Sequence, residues 1–437
     1  MSFQQHARIF ANSNRQMRQF LDGFTRDQLV DIEEFVLNTM EQAYMPAKVW
    51  LPSDFMSYGH FLRVVSSLEM SSSPGYPYCL QAPTNGSWLG FDGLTYNQIR
   101  LAELWSDLQL FLEGELRSTY RAFVKVEPHK ISKARSNKWR LIICSPLYEQ
   151  VAWTMVFGTL NDEEVDKAFE IPSVQGMKLC NGDWKHWVDI FDTRGYDASI
   201  DKSSWDWTVT WWLIDLERQF RERMIMGPDA EYYNLLAQDL YRRAFISPNI
   251  IFSSGCVYQQ LNAGLMKSGC VNTISANSHM QIMVHILLNY LRDMPVDPLP
   301  IACGDDTLSS GYNTPLPEDF ERLGIIVKNL DYDTREFVGH QFPGALSSGP
   351  WLEPIPLYTQ KHIFRFTMVN DEDLAQFLDS MCREYCHHPI YLQLWYDLAN
   401  IYGVPLYSRK YYQFWFDKDV DSLGKTWITA ILSRWGA

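Results

Sequence analysis

The stretch Ile301-Ala302-Cys303-Gly304-Asp305-Asp306-Thr307-Leu308-Ser309 decides the fold that the sequence predicts. It places two adjacent acids after a glycine, between short apolar runs that are typical of two strands meeting at a tight turn. Neighbouring side chains on extended backbone point to opposite faces, so a bend is needed before adjacent acids can serve one site. Gly304 supplies the freedom to bend. The turn is therefore a predicted place to hold metal ions, with one acid coordinating better than the other.

Composition predicts a globular protein of enzyme size. The chain has 437 residues, of which 46% are hydrophobic and 14% aromatic, enough for a substantial core in two or three units. A formal net charge of −14 argues by itself against a nucleic-acid partner, since affinity for phosphates comes from Lys and Arg. However, residues 117–140 hold eight basic residues against one acid, Glu127, and this positive tract predicts a local path for anions. The basic residues are Arg117, Arg121, Lys125, Lys130, Lys133, Arg135, Lys138 and Arg140.

The eight cysteines are scattered through mostly apolar surroundings, which is typical of reduced thiols in a cytosolic protein. Cys382, Cys386, His387 and His388 form one local cluster, and cysteines four apart on a helix could hold zinc. The alternative is an amphipathic helix with its cysteines on the buried side. No stretch reaches the roughly 18 apolar residues that a membrane span needs, and the N-terminus lacks the apolar run of a signal peptide. We therefore expect a soluble protein in the cytoplasm.

Two upstream segments offer groups that could bind phosphate. The prolines and glycine of residues 71–78 exclude regular structure, and the hydroxyls and amides there could grip a phosphate backbone; the alternative is an ordinary loop. Residues 123–130 and 139–144 are strand-like arms around a positive tip. This pattern predicts a β-hairpin that could lie over triphosphates, although a charge run is usually only a solvated face.

Two pairs of acids five residues apart compete for the remaining metal carboxylate: Asp192 with Asp197, and Asp201 with Asp206. The second pair is favoured because a strand-like approach leads into Asp201 and a helix-like run over residues 207–224 follows Asp206. The strand would then end at the acid, where the helix begins. Asp192 and Asp197 remain an open alternative.

Residues 264–277 contain small and polar side chains at a helical spacing. Ser268 and Gly269 suit a mobile turn leading into a helix, and Thr273 and Asn277, four apart, lie on one face of it. Small polar groups at that spacing could reach one sugar together. The string is more specific than Gly-Asp-Asp alone, and it comes shortly before that turn in the chain.

The order of these segments resembles that of the RNA-dependent RNA polymerases of positive-strand RNA viruses, most closely the sobemovirus and polerovirus (solemovirus-like) branch. The resemblance covers roughly residues 70–345. The motifs are Ser73-Pro74-Gly75 (G), Lys125 to Arg140 (F), Asp201 to Asp206 with Trp205-Asp206-Trp207 (A), Ser268 to Asn277 (B), Gly304-Asp305-Asp306 (C), Leu323 to Lys328 (D) and Glu336 to His340 (E). One departure is the duplicated acid spacing, since Gly195-Tyr196-Asp197-Ala198-Ser199 looks like the picornaviral version of motif A.

The resemblance implies a role for each group. Asp201 and Asp305 would hold two Mg²⁺ ions, replaceable by Mn²⁺, with Asp306 assisting, and Lys328 would be a general acid for pyrophosphate. The alternative for Lys328 is an ordinary exposed lysine. The nucleotide-binding set would be Lys125, Arg135, Arg140, Asp206, Ser268, Thr273 and Asn277, and the template and primer set Ser73, Gly75, Gly269 and His340. Of these, Asp206 and Asn277 would read the ribose 2′-hydroxyl, with Thr273 and Ser268 nearby.

The implied fold class is α+β, a right-hand polymerase fold of fingers, palm and thumb, with an antiparallel palm sheet backed by helices. The expected domains are fingers with an N-terminal extension (1–150), palm (151–235), a fingers insertion (236–262), palm (263–345) and thumb (346–437).

The implied function is RNA-templated synthesis of RNA in viral replication and transcription, by two-metal-ion nucleotidyl transfer. The implied partners are a single-stranded RNA template, the nascent RNA and nucleoside triphosphates, with a protein primer and other viral replication proteins as further candidates. The implied location is a viral replication complex in the host cytoplasm. The alternatives are a reverse transcriptase or other templated polymerase, and a non-catalytic RNA-binding protein.

Overall fold

The computed structural model describes residues 2–346 and 349–418, so the predicted thumb lies partly outside the described residues. Helices and β-sheets both contribute, and the predicted α+β class is confirmed. Among the described residues, no helix has both the length and the apolar character that crossing a membrane requires.

Several helices begin where the sequence supplies a capping side chain. The second helix starts after Thr25, whose hydroxyl accepts a hydrogen bond from the backbone N–H of Gln28, while the Gln28 side chain accepts one from the Thr25 N–H. The α-helices are α1 (Ser2–Asp22), α2 (Arg26–Ala43), α3 (Tyr58–Ser66), α4 (Asn85–Leu89), α5 (Gln98–Leu112), α6 (Ile131–Arg135), α7 (Leu147–Asp166), α8 (Asp183–Arg194), α9 (Trp205–Thr208), α10 (Trp211–Arg223), α11 (Ala230–Phe245), α12 (Thr273–Leu291), α13 (Pro317–Arg322), α14 (Thr359–Phe366), α15 (Leu374–Glu384), α16 (Pro389–Tyr402) and α17 (Arg409–Asp417).

The described strands form four sheets, with orders β1-β5, β3-β2-β6-β7, β10-β4-β9-β8 and β11-β12-β13. The strands are β1 (Val49–Trp50), β2 (Thr119–Val124), β3 (Leu141–Cys144), β4 (Tyr196–Ser203), β5 (Ile225–Met226), β6 (Asn249–Phe252), β7 (Val257–Gln259), β8 (Ile301–Cys303), β9 (Asp306–Ser310), β10 (Ile326–Tyr332), β11 (Glu336–Phe337), β12 (His340–Gln341) and β13 (Ile355–Pro356).

Both predicted turns between strands are present. β2 and β3 are antiparallel, with Val124 opposite Leu141, and the basic tip between them contains the short helix α6. β8 and β9 are separated by Gly304 and Asp305, and Gly304 has φ +64°. Along β4, buried residues alternate with partly or fully exposed ones. This is the pattern expected for a strand whose successive side chains point to opposite faces of the sheet.

The prediction that a strand ends at Asp201 and that one helix covers residues 207–224 was wrong in detail. β4 continues to Ser203, and the helical run is divided into α9 and α10 by the extended residues Val209 and Thr210. The carbonyl oxygen of Val209 accepts a hydrogen bond from Leu265 (2.8 Å), and Thr210 pairs with Gly264 in an isolated bridge. These long-range contacts compete with helical hydrogen bonds, which a helical periodicity cannot reveal.

The chain divides into two compact units. The first comprises residues 1–176, 201–305 and 315–329, and the second comprises residues 177–200, 306–314 and 330–437. This division does not follow the predicted domain boundaries, which stay a prediction. In the first unit α12 is buried along most of its length, so it is a central core helix.

The second unit has its own aromatic core. Cys382 and Cys386 are both buried there, packed with Tyr385 and Trp395. The described part of the chain contains no cluster of three or more His, Cys, Asp or Glu side chains suited to a metal, so the zinc alternative is not supported. Cys382 lies on the buried side of α15, as the amphipathic-helix alternative predicted, whereas Cys386 follows the end of that helix at Glu384 and is buried in the same core.

Candidate active site

Strand β4 carries Asp201 to the end of a paired ladder. β4 runs antiparallel to β9, and the register ends with Ile200 opposite Thr307. Asp201 directly follows Ile200, and Asp305 and Asp306 directly precede Thr307, so all three acids belong to this end of the ladder. Opposite residues in antiparallel strands have Cα atoms about 4.5 to 5.5 Å apart. The ladder therefore brings together parts of the chain that are more than a hundred residues apart (305 − 201 = 104).

The predicted general acid is a neighbour of a predicted metal ligand. The ammonium group of Lys328, on β10, forms an ion pair with the carboxylate of Asp201, and both side chains are largely exposed. Water screens such a pair, so it contributes less than about 1 kcal/mol to stability. Asp201 therefore remains available to a competing cation.

Asp206, in α9, is the last member of a chain of hydrogen bonds. Its Oδ1 accepts a hydrogen bond from Nδ2 of Asn277 at 3.0 Å. Oδ1 of Asn277 in turn accepts one from the indole Nε1 of Trp205 at 2.9 Å. Because an indole N–H only donates, Trp205 decides which end of the Asn277 amide faces Asp206. The two predicted sugar-reading side chains are therefore in contact, and a third residue orients them.

The electrostatic surroundings of Asp206 join three of the predicted segments. Burial raises the pKa of Asp206 to about 6. The hydrogen bond from Asn277 and the positive charge of Arg140 oppose this rise, whereas the negative charge of Asp305 adds to it. The Gly-Asp-Asp turn and the basic segment both act on the same buried carboxyl.

Gly304 is required because of the backbone conformation of its turn, and not because a side chain there would clash. Its φ of +64° is a conformation that other residues adopt at a cost, whereas an added Cβ would meet only Cγ1 of Ile274, at an ordinary 3.9 Å. The Gly304 N–H donates to the hydroxyl of Ser278 at 2.8 Å. Ser278 on α12 therefore attaches the acid turn to the helix that carries Asn277.

The loop before α12 is attached to strand β3. The N–H of Gly269 donates to the carbonyl oxygen of Ile143 at 3.0 Å, and a Cβ on Gly269 would lie 2.8 Å from Cβ of Cys144, so only glycine fits. The hydroxyl of Thr273 lies 2.7 Å from the carbonyl oxygen of Lys267, and that of Ser268 is 3.4 Å from the carbonyl oxygen of Leu141. These two hydroxyls hold the loop, while Asn277 provides the contact to Asp206.

An acid organises the basic segment. Glu127 forms ion pairs with Lys125 at 3.3 Å and with Arg140 at 3.2 Å, while its own side chain is nearly buried. Sequence reasoning counted Glu127 only against the positive charge of this tract. The structure gives it a positioning role for two predicted phosphate ligands. Arg135 lies on the partly exposed helix α6, and its role in nucleotide binding stays a prediction.

The remaining predicted template and primer residues make local structural contacts. Gly75 has φ +70°, and a Cβ there would lie 2.3 Å from the carbonyl oxygen of Ser145. The Ser73 hydroxyl accepts a hydrogen bond from the Gly75 N–H at 3.3 Å. His340 pairs with Glu384 of α15 at 2.7 Å, and although burial opposes it, this carboxylate raises the pKa of His340. Contact with RNA at these positions stays a prediction.

The alternative acid pair has other partners. Asp192 forms an ion pair with Arg335 at 2.7 Å, and Arg335 also donates to the carbonyl oxygen of Tyr196 at 2.8 Å. Asp197 accepts a hydrogen bond from the N–H of Gly311 at 2.7 Å. These contacts hold the start of β4 in place, and they favour Asp201 and Asp206 as the pair at the site.

Comparisons with known proteins show which family the chain belongs to. Residues 30–310 match the family model described as viral RNA-dependent RNA polymerase, which is well over half of the chain. The chain belongs to the viral RNA-dependent RNA polymerases. The resemblance in the order of the sequence motifs is thereby confirmed.

Two relatives show which branch of these polymerases is similar. The RNA-directed RNA polymerase of Mushroom bacilliform virus is 24% identical over 68% of this chain and 73% of that protein. The replicase polyprotein P2AB of Southern bean mosaic virus is 28% identical over 62% of this chain and 29% of that protein. The chain spans about three tenths of most of the curated relatives that it matches.

A solved polymerase shares the fold. The Sicinivirus 3Dpol RNA dependent RNA polymerase has a TM-score of 0.66 with this chain, at 17% identity, and the match covers 87% of this chain and 84% of that one. The predicted polymerase fold is therefore confirmed, although its division into fingers, palm and thumb stays a prediction.

Viral RNA-dependent RNA polymerases generally use divalent metal ions, and the acids at the ladder end suit them. Asp201, Asp305 and Asp306 are exposed and offer carboxylate oxygens, the donors that hard divalent cations prefer. Asp201 already holds the ammonium cation of Lys328. Within residues 2–346 and 349–418 no three potential ligands are gathered closely enough to form a ready-made cluster. The residues fit a divalent ion in the kind of donor atom that they offer.

Proposed function

We propose that this chain joins ribonucleotides into RNA on an RNA template, the activity of viral genome replication and transcription. The observation that carries the proposal is the hydrogen-bonded chain Trp205–Asn277–Asp206. It lies within electrostatic reach of Asp305 and Arg140, in a member of the viral polymerase family. This arrangement between an acid turn and a basic segment supports a ribose-reading role for Asp206 and Asn277.

The acids would hold the ions. We assign Asp201 and Asp305 as ligands of two Mg²⁺ ions, for which Mn²⁺ can substitute, with Asp306 assisting. Bound there, such ions supply positive charge that stabilises the transferring phosphoryl group and both of its oxygens. The exposure of all three carboxylates supports this role.

The basic residues would bind the incoming triphosphate. Lys125 and Arg140 extend into solvent while Glu127 holds both of them, so their spacing is set before an anion arrives. We assign Arg135 to the same anion path. Lys328 would act as proton donor to departing pyrophosphate, because its exposed ammonium group lies beside Asp201.

Sugar choice would depend on Asp206 and Asn277. A 2′-hydroxyl both donates and accepts, so it can donate to a carboxylate and accept from an amide. A site built around such hydrogen bonds rejects an analogue that lacks the hydroxyl, because its buried polar groups are then left unpaired. We assign Thr273 and Ser268 to holding the loop beside this sugar.

The partners follow from this chemistry. They are a single-stranded RNA template, the nascent strand and nucleoside triphosphates, with Ser73, Gly75, Gly269 and His340 as candidate contacts to template or primer. Several relatives are named as polyproteins, which supports other viral replication proteins, and a protein primer, as further partners. We propose a viral replication complex in the host cytoplasm as the place of action.

A polymerase assay with one acid removed tests the proposal. The purified chain, a short RNA template and labelled ribonucleotides with Mg²⁺ or Mn²⁺ should yield RNA, and Asp305→Ala should abolish synthesis while RNA binding persists. Asp371→Ala, which removes an exposed acid in the second unit, is the control and should remain active. Synthesis by Asp305→Ala at the control rate would refute the assignment. Efficient use of deoxyribonucleotides on the same template would favour a reverse transcriptase instead.

A further inference from the structure

Four ionisable side chains form a fully buried cluster against the core helix α12. They are Glu164 of α7, Glu217 and Arg221 of α10, and His279 of α12, and the side chains of all four are inaccessible to solvent. We call these four residues the buried charge cluster. Isolated charges at such depth would cost several kcal/mol each, so the cluster persists only because its members pair.

The geometry assigns the charge of His279. Its Nε2 lies 2.7 Å and 2.9 Å from the carboxylate oxygens of Glu164, and its Nδ1 lies 2.8 Å from Oε1 of Glu217. When both glutamates are ionised they can only accept, so both ring nitrogens then carry hydrogen and the ring is an imidazolium. Burial alone would lower the pKa of His279, but the two carboxylates raise it above its ordinary value. Two negative and two positive charges then sum to zero inside the core.

Arg221 extends the cluster to the first turn of α12. Its Nε donates to Glu217 at 2.6 Å, one terminal nitrogen donates to Oδ1 of Asn161 at 2.9 Å, and the other donates to the hydroxyl of Ser275 at 2.6 Å. Asn161 also donates to the side chain of Asn272, which caps this helix, at 2.9 Å. The cluster therefore contacts α12 at its start and again one turn later.

These contacts bracket the residue that reaches the sugar-reading acid. Asn277 lies between Ser275 and His279, and each residue advances a helix by about 1.5 Å. α10, which supplies Glu217 and Arg221, begins three residues after α9, the helix that carries Asp206. A shift of α12 along α10 would therefore change the contact between Asn277 and Asp206 directly.

We propose that the buried charge cluster, with His279 at its centre, positions Asn277 against Asp206 and so sets the preference for ribose over deoxyribose. The proposal rests on the proposed polymerase activity. His279 is a positioning residue: it acts through α12, and a charged ring held from two sides resists both sliding and rotation of that helix.

The test compares selectivity rather than total activity. The ratio of kcat/KM for a ribonucleoside triphosphate to that for its 2′-deoxy form is measured on one RNA template for the wild-type chain, His279→Gln and Ser275→Ala. We expect the ratio to fall by about tenfold or more in His279→Gln, because an ångström-scale misplacement costs large factors in rate. Ser275→Ala removes the contact of Arg221 to the helix, together with the hydrogen bonds of the Ser275 hydroxyl to Asn161 and Asn272. It keeps all four charges and should lower the ratio less.

A control separates positioning from general destabilisation. Leu104→Ala opens a cavity under the buried face of helix α5 in the first unit, so it should lower the unfolding temperature and the active fraction while leaving the ratio unchanged. An unchanged ratio in Ser275→Ala, and in His279→Gln where it folds, would overturn the inference while leaving the polymerase assignment intact. Absence of RNA synthesis by the wild-type chain would instead refute the proposed function.

Discussion

Replacing Asp206 with Asn should stabilise the metal-free protein while weakening its ribose selection. In the folded chain, burial and the charge of Asp305 raise the pKa of Asp206 from 3.8 to about 6. The ionised carboxylate therefore costs stability near neutral pH. An amide of nearly the same shape carries no charge and can still accept the hydrogen bond from Asn277, so the substitution removes the cost and keeps the contact.

The magnitude follows from the shift in pKa. A rise of about two units at roughly 1.4 kcal/mol each corresponds to about 3 kcal/mol when Asp206 is ionised. Because the folded pKa lies above the unfolded one, stability is greatest below about pH 4 and is lost as the pH rises through about 6. The gain from Asp206→Asn should thus be close to zero below about pH 4 and approach about 3 kcal/mol above about pH 7.

Urea unfolding at a series of pH values, in the presence of a chelator, measures this gain. Tryptophan fluorescence follows the transition. The gain in free energy of unfolding is the shift in the urea midpoint multiplied by the m value, which should be unchanged. Asp371→Asn, at an exposed acid, is the control and should change stability by less than about 0.5 kcal/mol at every pH. A gain that is the same at all pH values, or absent at pH 8, would show that the carboxyl is not penalised by burial.

Two further substitutions test a packing contact of Gly324 and the ion pair of Lys328. Gly324→Ala should destabilise the protein by more than about 2 kcal/mol, since it adds a Cβ 2.6 Å from Cα of Ser13 on α1 at a φ of +76°. The control is Gly403→Ala, which lies in open space at φ +68° and therefore measures the backbone strain alone. An equal loss of thermal stability in the two variants would exclude the contact with Ser13. Lys328→Met removes the cation beside Asp201, so calorimetric titration should show divalent ions binding more tightly, by a factor of up to about five, while turnover falls. Weaker ion binding after this change would mean that Lys328 does not compete for the carboxylate.

The acid turn and the basic hairpin were predictable because their signals are local. A glycine before two acids, bounded by apolar runs, specifies a turn between β8 and β9 without reference to the rest of the chain. The same holds for the helix that carries Thr273 and Asn277 and for the second arm of the basic hairpin, whereas the predicted first arm, 123–130, shares only Phe123 and Val124 with β2. Each of these depends on spacing and on residue type, which a sequence displays directly.

The residues that orient the site could not be predicted, because their partners lie far away in sequence. Trp205 contacts Asn277 across 72 positions, and Ser278 contacts Gly304 across 26. Glu127 looked like a lone negative charge until its two basic partners were placed around it. A buried tryptophan beside an acid is in principle a signal, since its N–H needs an acceptor, but the sequence does not say which one.

Exposure separates the two kinds of charge in this polymerase. Asp201, Asp305 and Lys328 are exposed, so their pairing is weak and they can exchange partners with an ion or a nucleotide. The buried charge cluster is neutral and fully paired, so it cannot exchange partners without a large cost. Asp206 lies between these extremes: it is only partly exposed, and burial raises its pKa, so its charge is not fully compensated. We propose that a ribose hydroxyl satisfies this charge, and that the rigidity of the cluster makes a missing hydroxyl costly.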